Sequence, residues 1–199
     1  MDGPVAEAPP NPEAALIERL IAGDEAAHRS FYRTHAADVH RLARRFVHSD
    51  AEADEVVQEV FLSAFKAIDR FRGGSKLRTW LYRITVNRAL KRQRWWSRRR
   101  EVGSEPLDHR AQRAPGPEVR AADREALAIV RRCLDALDDR KRTVLVLHEL
   151  EGLDTKEIAA VLDCPRSTVL TRLSRARAEL VKSARALGVA LPDDEGEPR

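Results

Sequence analysis

Leu153–Leu180 reads LDTKEIAAVLDCPRSTVLTRLSRARAEL and carries the start and stop signals of two short helices either side of a tight turn. Asp154 stands at the first N-cap, Glu157 follows three residues on as its capping-box partner, and Leu153 and Ile158 are spaced as a hydrophobic staple. Ile158, Val161 and Leu162 then share an apolar face. Asp163-Cys164 forms the turn, and Pro165 suits the first position of the second helix, where a missing N–H costs nothing. In that register Cys164 is the N-cap, a place where a thiol pKa can fall. Val169, Leu173, Ala176 and Leu180 step by four, three and four, so they form one buried stripe. The opposite face holds Ser167, Thr171 and Ser174, flanked by Thr168, Leu170 and Arg175. The pattern is a helix-turn-helix: short hydroxyls let a helix approach a DNA groove, while arginine reaches guanine edges or phosphates. The plainer alternative is a bundle helix with a solvated basic back. Against it stand the two-residue turn and the six Lys or Arg to one Glu over Pro165–Leu187.

The same bias recurs upstream in sharper form. The 199 residues carry a net charge of only +4, yet Arg72–Arg100 holds eleven Lys or Arg and no acid, whereas Asp50–Glu59 holds five acids and no base. Segregated charge of this kind implies different partners for different surfaces. Apolar residues make up 43% of the chain, enough for one or two domains with cores. Cys133 and Cys164 are too few and too far apart for a disulfide framework or a zinc knuckle. With no signal peptide and no bilayer-length apolar run, a cytoplasmic protein without membrane insertion is expected.

Along the chain, residues 1–12 are rich in Pro, Ala and acids and read as a disordered extension. Asn11-Pro12 opens a helix with Leu16, Ile17, Leu20 and Ile21, stopped by Gly23. Asp24 caps a helix to about Val47 that buries Phe31, Val39, Leu42 and Phe46. Ser49 and Glu52 form a capping box for a helix to Phe71 burying Val57, Phe61, Ala64 and Ile68. Gly73-Gly74 breaks it, and Ser75 caps a helix with an apolar stripe of Leu77, Trp80, Leu81 and Ile84. Residues 97–117 lose periodicity into Arg, Pro, Gly and Ala and read as a flexible linker. A second module, 118–187, follows: a helix with Leu127, Val130, Leu134 and Leu137, then one capped by Asp138 or Asp139 with Val144, Leu145 and Leu147, closed by Gly152. Residues 188–199 form an acidic tail. No strand pattern appears, so the fold class is all-α, two small helical domains (13–96 and 118–187) on a linker.

Beside the core face of the helix from Asp50, Gln58, Leu62, Phe65 and Asp69 recur at four, three and four, ringed by Glu55, Glu59 and Lys66. This second stripe suits a docking site for a partner helix, or cover by another helix of the same domain. The basic helix from Ser75 ends in Trp95-Trp96, and cations mixed with aromatics grip phosphates and stack bases at ~1–3 kcal/mol each. His28, His35, His40 and His48 lack a completing carboxylate at metal-ligand spacing. His148-Glu149 lacks the second histidine of a zinc protease motif, and no phosphate loop or nucleophile elbow exists. No catalytic, cofactor-binding or metal site and no small-molecule substrate is expected.

Asp54-Glu55-Val56-Val57-Gln58-Glu59-Val60-Phe61, Phe71-Arg72-Gly73-Gly74-Ser75 and Thr79–Asn87 (TWLYRITVN) resemble region 2 of bacterial sigma factors of the extracytoplasmic-function (ECF) branch. Leu137-Asp138, Glu149-Leu150-Glu151-Gly152-Leu153, Glu157-Ile158-Ala159 and Cys164-Pro165-Arg166-Ser167-Thr168-Val169 resemble their region 4. The resemblance implies a non-catalytic subunit that joins core RNA polymerase, directs it to promoter DNA and is held inactive by an anti-sigma factor. It places polymerase contacts on Asp54, Gln58, Glu59 and Leu62, on the stripe that also includes Phe65. Minus-10 recognition and strand capture fall on Asn87, Arg88, Lys91 and Arg92, with Arg83 and Arg98–Arg100 on phosphates. Minus-35 reading falls on Arg166, Ser167, Thr168, Thr171, Arg172 and Arg175. Leu170 stands where members commonly have Lys or Arg and Ser167 where glycine is frequent, so the promoter sequence is not carried over. The alternative class is a helix-turn-helix regulator that is not an initiation subunit, and a phosphate-binding enzyme is a third.

Overall fold

The computed structural model describes residues 12–71, 73–101 and 121–189, which form eight α-helices and no strand. The first set is α1 (Pro12–Ile21), α2 (Glu25–Arg44), α3 (Asp50–Ala67), followed by a 3-10 turn, and α4 (Leu77–Glu101). The second is α5 (Ala121–Asp135), α6 (Asp139–Leu145), which widens into a π turn, α7 (Thr155–Leu162) and α8 (Arg166–Ala186).

The all-α expectation holds, and most helix starts lie where the sequence marks them. Asp24 accepts from the N–H groups of Ala26 and Ala27, and Asp138 from those of Arg140 and Lys141. Asp154 and Glu157 complete the expected capping box. Ser49 differs. Its hydroxyl accepts from Glu52 N–H, but the Glu52 carboxylate accepts from His48 N–H at 2.7 Å rather than from Ser49. The amides of Phe46 and Val47 are taken by Ala43 O, so the next one along meets the carboxylate.

Phe31, Leu42 and Phe46 of the α2 segment, Val56, Val60 and Phe61 of α3, and Leu81, Tyr82 and Val86 of α4 are buried together. On α4 the buried face is turned from the expected stripe. Leu77 and Leu81 are inside, but their companions are Tyr82, Thr85, Val86 and Ala89, while Trp80 and Ile84 are only partly covered. Thr85 fits a core because its hydroxyl donates to Leu81 O within the helix, at 2.9 Å. α4 also continues to Glu101, so residues 97–101, expected in the linker, are helical. That stretch is mostly arginine, a good helix former, and the first glycine comes later, at Gly103. The remainder of the expected linker, the N-terminal extension and the acidic tail from residue 190 lie outside the described residues.

In the second set Val144, Leu145 and Leu147, with Ile158, Val161, Val169, Leu173 and Ala176, make the core. α5 is rotated toward Cys133, which is buried, and expected stripe member Val130 is exposed. Asp163 closes α7 in the left-handed region at φ 52, a conformation that Asp tolerates better than most residues. Pro165 is the N-cap of α8 and not its first residue, so Cys164 precedes the cap instead of forming it. Pro165 has ψ 145, outside the helical range.

The two sets meet. The Glu151 side chain, fully buried, lies 3.2 Å from Arg41 Nη2 and 3.6 Å from Arg45 Nε of the first set. Arg142 donates to Arg45 O at 3.0 Å, and Arg83 of α4 donates to Ala160 O at the end of α7 at 2.6 Å. Buried apolar residues of both sets form one continuous cluster.

Backbone N–H bonds from Glu157 and Lys156 hold the Asp154 carboxyl below its usual range, and Lys141 does the same for Asp138. A folded value below the unfolded one means the stability these caps add is full above the ordinary carboxylate range. It is lost as pH falls through that range. Melting temperature is therefore expected to drop from pH 6 to pH 3, and Asp154→Asn, a cap that does not titrate, to flatten that slope. An unaltered slope in the variant would remove Asp154 from the effect.

Candidate polymerase and nucleic-acid interfaces

α3 presents the expected docking stripe unevenly. Leu62 is 61% exposed, with Gln58 exposed one turn before it and Asp54 exposed beyond. Phe65 is partly buried in an aromatic cluster, 4.5 Å from His28 and 5.9 Å from Phe61 between ring centroids, so Leu62 is the apolar residue that stands clear. Asp54 lies 3.4 Å from His40 Nε2. Glu59 and Glu55 face α4, where they meet cations expected to bind DNA.

Arg92 pairs with Glu55 and lies 3.8 Å from Glu59. Arg88 lies 3.8 Å from Glu59 and donates to Ser63 Oγ at 2.8 Å. Arg83 projects the other way: its guanidinium bonds Ala160 O and lies 3.2 Å from Asp163, in the turn of the helix-turn-helix. Asn87 and Lys91 are exposed. The structure thus divides the five residues expected at the minus-10 element into three groups: Arg88 and Arg92 against α3, Arg83 against α7, and Asn87 with Lys91 open. Arg98, Arg99 and Arg100 continue the helix, and their side chains lie outside the described ones.

The residues expected to read the minus-35 element, by contrast, are mostly gathered. An open crevice of about 380 Å³ lies between the start of α6 and α8, lined by Asp138, Arg140 and Lys141 on one side. Its other side is Ser167, Thr168, Thr171, Arg172 and Arg175, five of the six residues nominated from sequence. The sixth, Arg166, turns away to donate to Thr155 Oγ1 at 2.7 Å. Lys141 donates to Glu179 at 2.6 Å and pairs with Asp138 at 2.9 Å. The Glu179 bond, with Asp138, holds its ammonium above the usual lysine range. Arg140, Arg172 and Arg175 have no carboxylate partner among the described residues, so three arginines face the crevice with unspent charge. Sequence reading missed Arg140 and Lys141. They follow a capping aspartate, and nothing local to Asp138-Asp139-Arg140-Lys141 shows that α8 lies opposite. Arg172 Nη1 lies 3.9 Å from Cys164 Sγ.

Among the described residues no group of three or more His, Cys, Asp or Glu is placed to hold a metal ion, and no helix is long and apolar enough to cross a membrane. What the fold defines is an all-helical protein in two sets, with a helix-turn-helix formed by α7 and α8 in one and an exposed Leu62 on α3 of the other. Residues 31–100 match sigma-70 region 2, and residues 127–180 match sigma-70 region 4. The RNA polymerase sigma-H factor of Pseudomonas aeruginosa is 36% identical over 180 residues, 86% of this chain and 93% of that protein. The ECF RNA polymerase sigma-E factor of Escherichia coli is 36% identical over 174 residues, 83% of this chain and 90% of that protein. Among solved structures, CnrH in complex with the cytosolic domain of CnrY matches with a TM-score of 0.66 at 28% identity, over 88% of this chain and 99% of CnrH. The sigma factor RpoE of Bartonella quintana, in complex with the anti-sigma factor NepR, has the same fold, with a TM-score of 0.60 at 20% identity over 79% of this chain and 96% of that one. The chain belongs to the sigma-70 family of RNA polymerase sigma factors, in its ECF branch, and promoter-directed transcription initiation is its function.

Removing the buried carboxylate tests the join between the two sets. Glu151→Ala leaves Arg41 and Arg45 facing each other without it. The expected cost is on the order of 2 kcal/mol, below the ~3–5 kcal/mol of a fully buried pair because Arg41 stays half exposed. Solution scattering should show a larger radius of gyration, and parent-like scattering and stability would show that the pair does not hold the modules together.

Proposed function

We propose that the first module docks on core RNA polymerase through α3 and takes the minus-10 element along α4, while α8 reads the minus-35 element. On this reading the docking contacts are Asp54, Gln58, Glu59, Leu62 and Phe65, with Leu62 as the apolar anchor. Asn87 and Lys91 meet the opened strand first, and Arg83, Arg88 and Arg92 join once released from their internal partners. Capture of an unpaired base in a basic, aromatic neighbourhood suits a helix that carries Trp95 and Trp96 among its arginines. Arg166, Ser167, Thr168, Thr171, Arg172 and Arg175 serve the minus-35 element, and Arg140 adds a phosphate contact. The observation that carries the reading is the crevice, which gathers five of these residues with unpaired arginine.

The division into modules 13–96 and 118–187, the absence of catalysis and of a cofactor, and action in the cytoplasm belong to the same proposal and rest on the family. So does an anti-sigma partner, since the related CnrH is solved with the cytosolic domain of CnrY. A regulator without an initiation role is disfavoured, because such a protein has no use for region 2.

Run-off transcription of fragmented genomic DNA by core polymerase, with and without this protein, tests the whole reading. New starts sharing two upstream elements at fixed spacing are expected, and folded, DNA-binding protein that yields none would overturn it. Leu62→Glu should weaken core-polymerase binding about tenfold or more. It is a cleaner variant than Glu59→Lys, which would also release Arg88 and Arg92 from α3. Arg175→Ala should lower minus-35 affinity by about 1–3 kcal/mol, measured on promoter duplexes.

A further inference from the structure

Leu170 is 49% exposed, whereas its neighbours Val169 and Leu173 are buried. It is the exposed large apolar side chain in the first half of α8, and Arg166, Ser167, Thr171 and Ser174 surround it on the helix surface.

The two flanks of α8 differ in how their charge is used. On the flank of Leu170, Arg166 is drawn back to Thr155 Oγ1, and Arg177 bonds Glu149 at 2.7 and 3.1 Å. Both cations of that flank are engaged inside the domain. On the other flank Thr168, Arg172 and Arg175 open onto the crevice with Arg140. At about 100° per residue, the strip of Ser167, Thr171 and Ser174 runs between these flanks. With its cationic flank against a phosphate strand, the helix turns the hydroxyl strip and Leu170 toward base edges. Leucine neither donates nor accepts a hydrogen bond. In the major groove the apolar feature that distinguishes one base from the others is the 5-methyl of thymine.

We infer that Leu170 is a specificity-determining residue, contacting the 5-methyl group of one thymine in the minus-35 element. The inference rests on the minus-35 reading above. Burying a methyl-sized group corresponds to about a fourfold change in affinity.

The test uses the protein assembled with core polymerase on a promoter taken from the run-off map. Each thymine of the upstream element is replaced singly by deoxyuridine, which lacks only the methyl. The parent should lose about fourfold at one position. Leu170→Ala should lose about as much on the unmodified promoter and respond equally to thymine and deoxyuridine there. An element without thymine, no sensitive position, or a Leu170→Ala protein that keeps the parent's sensitivity overturns the assignment. Arg175→Ala in the same assay separates the two layers. If it binds every duplex like the parent, the minus-35 reading itself fails; if it binds weakly while no methyl effect exists, only the role of Leu170 falls. An exposed Leu→Ala change in a helix leaves the fold intact, which a thermal melt verifies.

Discussion

A helix that carries only positive charge over most of its length has to borrow its counter-charges from elsewhere. From Arg78 to Arg94 α4 has six cations and no acid, and five of them lie within 4 Å of carboxylates on other elements. Glu55 and Glu59 of α3 take Arg92 and Arg88, Asp38 of α2 takes Arg78, and Asp163 and Asp139 of the second set take Arg83 and Arg94. Carboxylates of both sets are thereby arranged around its charge. Most of these pairs are partly exposed and each contributes little by itself. On the proposed assignments, they also occupy the cations that a DNA strand would claim.

This sets polymerase binding and DNA binding in relation to each other. Glu59 is both a candidate docking residue and the acid nearest Arg88. A partner that engages Glu59 changes the field at Arg88 and Arg92, and phosphate is then the competing anion. Arg83 is tied likewise to the second module through Ala160 and Asp163, so placing the two modules along separate promoter elements frees it. Glu151, sealed between Arg41 and Arg45, joins the two sets in this closed arrangement, and its carboxylate has no water to fall back on if the arginines withdraw.

Local chemistry was legible in the sequence, and long-range chemistry was not. Asp24, Asp138 and Asp154 could be named as caps because a cap satisfies amides two or three residues away. The stripe Val169, Leu173, Ala176 repeats at helical spacing and could be named for the same reason. Errors fell where another element decides the outcome. Tyr82 and Thr85 displaced Trp80 and Ile84 from the core because α2 and α3 set which face of α4 is covered. Phe65 belongs to an aromatic cluster built from α2. Arg140 joined the candidate site from the far side of a crevice.

The same distinction explains why five residues expected at the minus-35 element converge while those expected at the minus-10 element scatter. Ser167, Thr168, Thr171, Arg172 and Arg175 sit on one helix, and its own periodicity brings them to one face whatever the rest of the chain does. The second face of α4 is shared between two neighbours, so Arg83 and Arg88, five residues apart, end on opposite sides with different partners. On the proposed assignments, a reading helix with five of its six residues already gathered and a capture helix whose arginines hold internal partners fit the order of events at a promoter. Duplex recognition requires only approach, whereas strand capture follows opening; on the proposed assignments the internal ion pairs of α4 are the contacts that would be exchanged for phosphate at that later step.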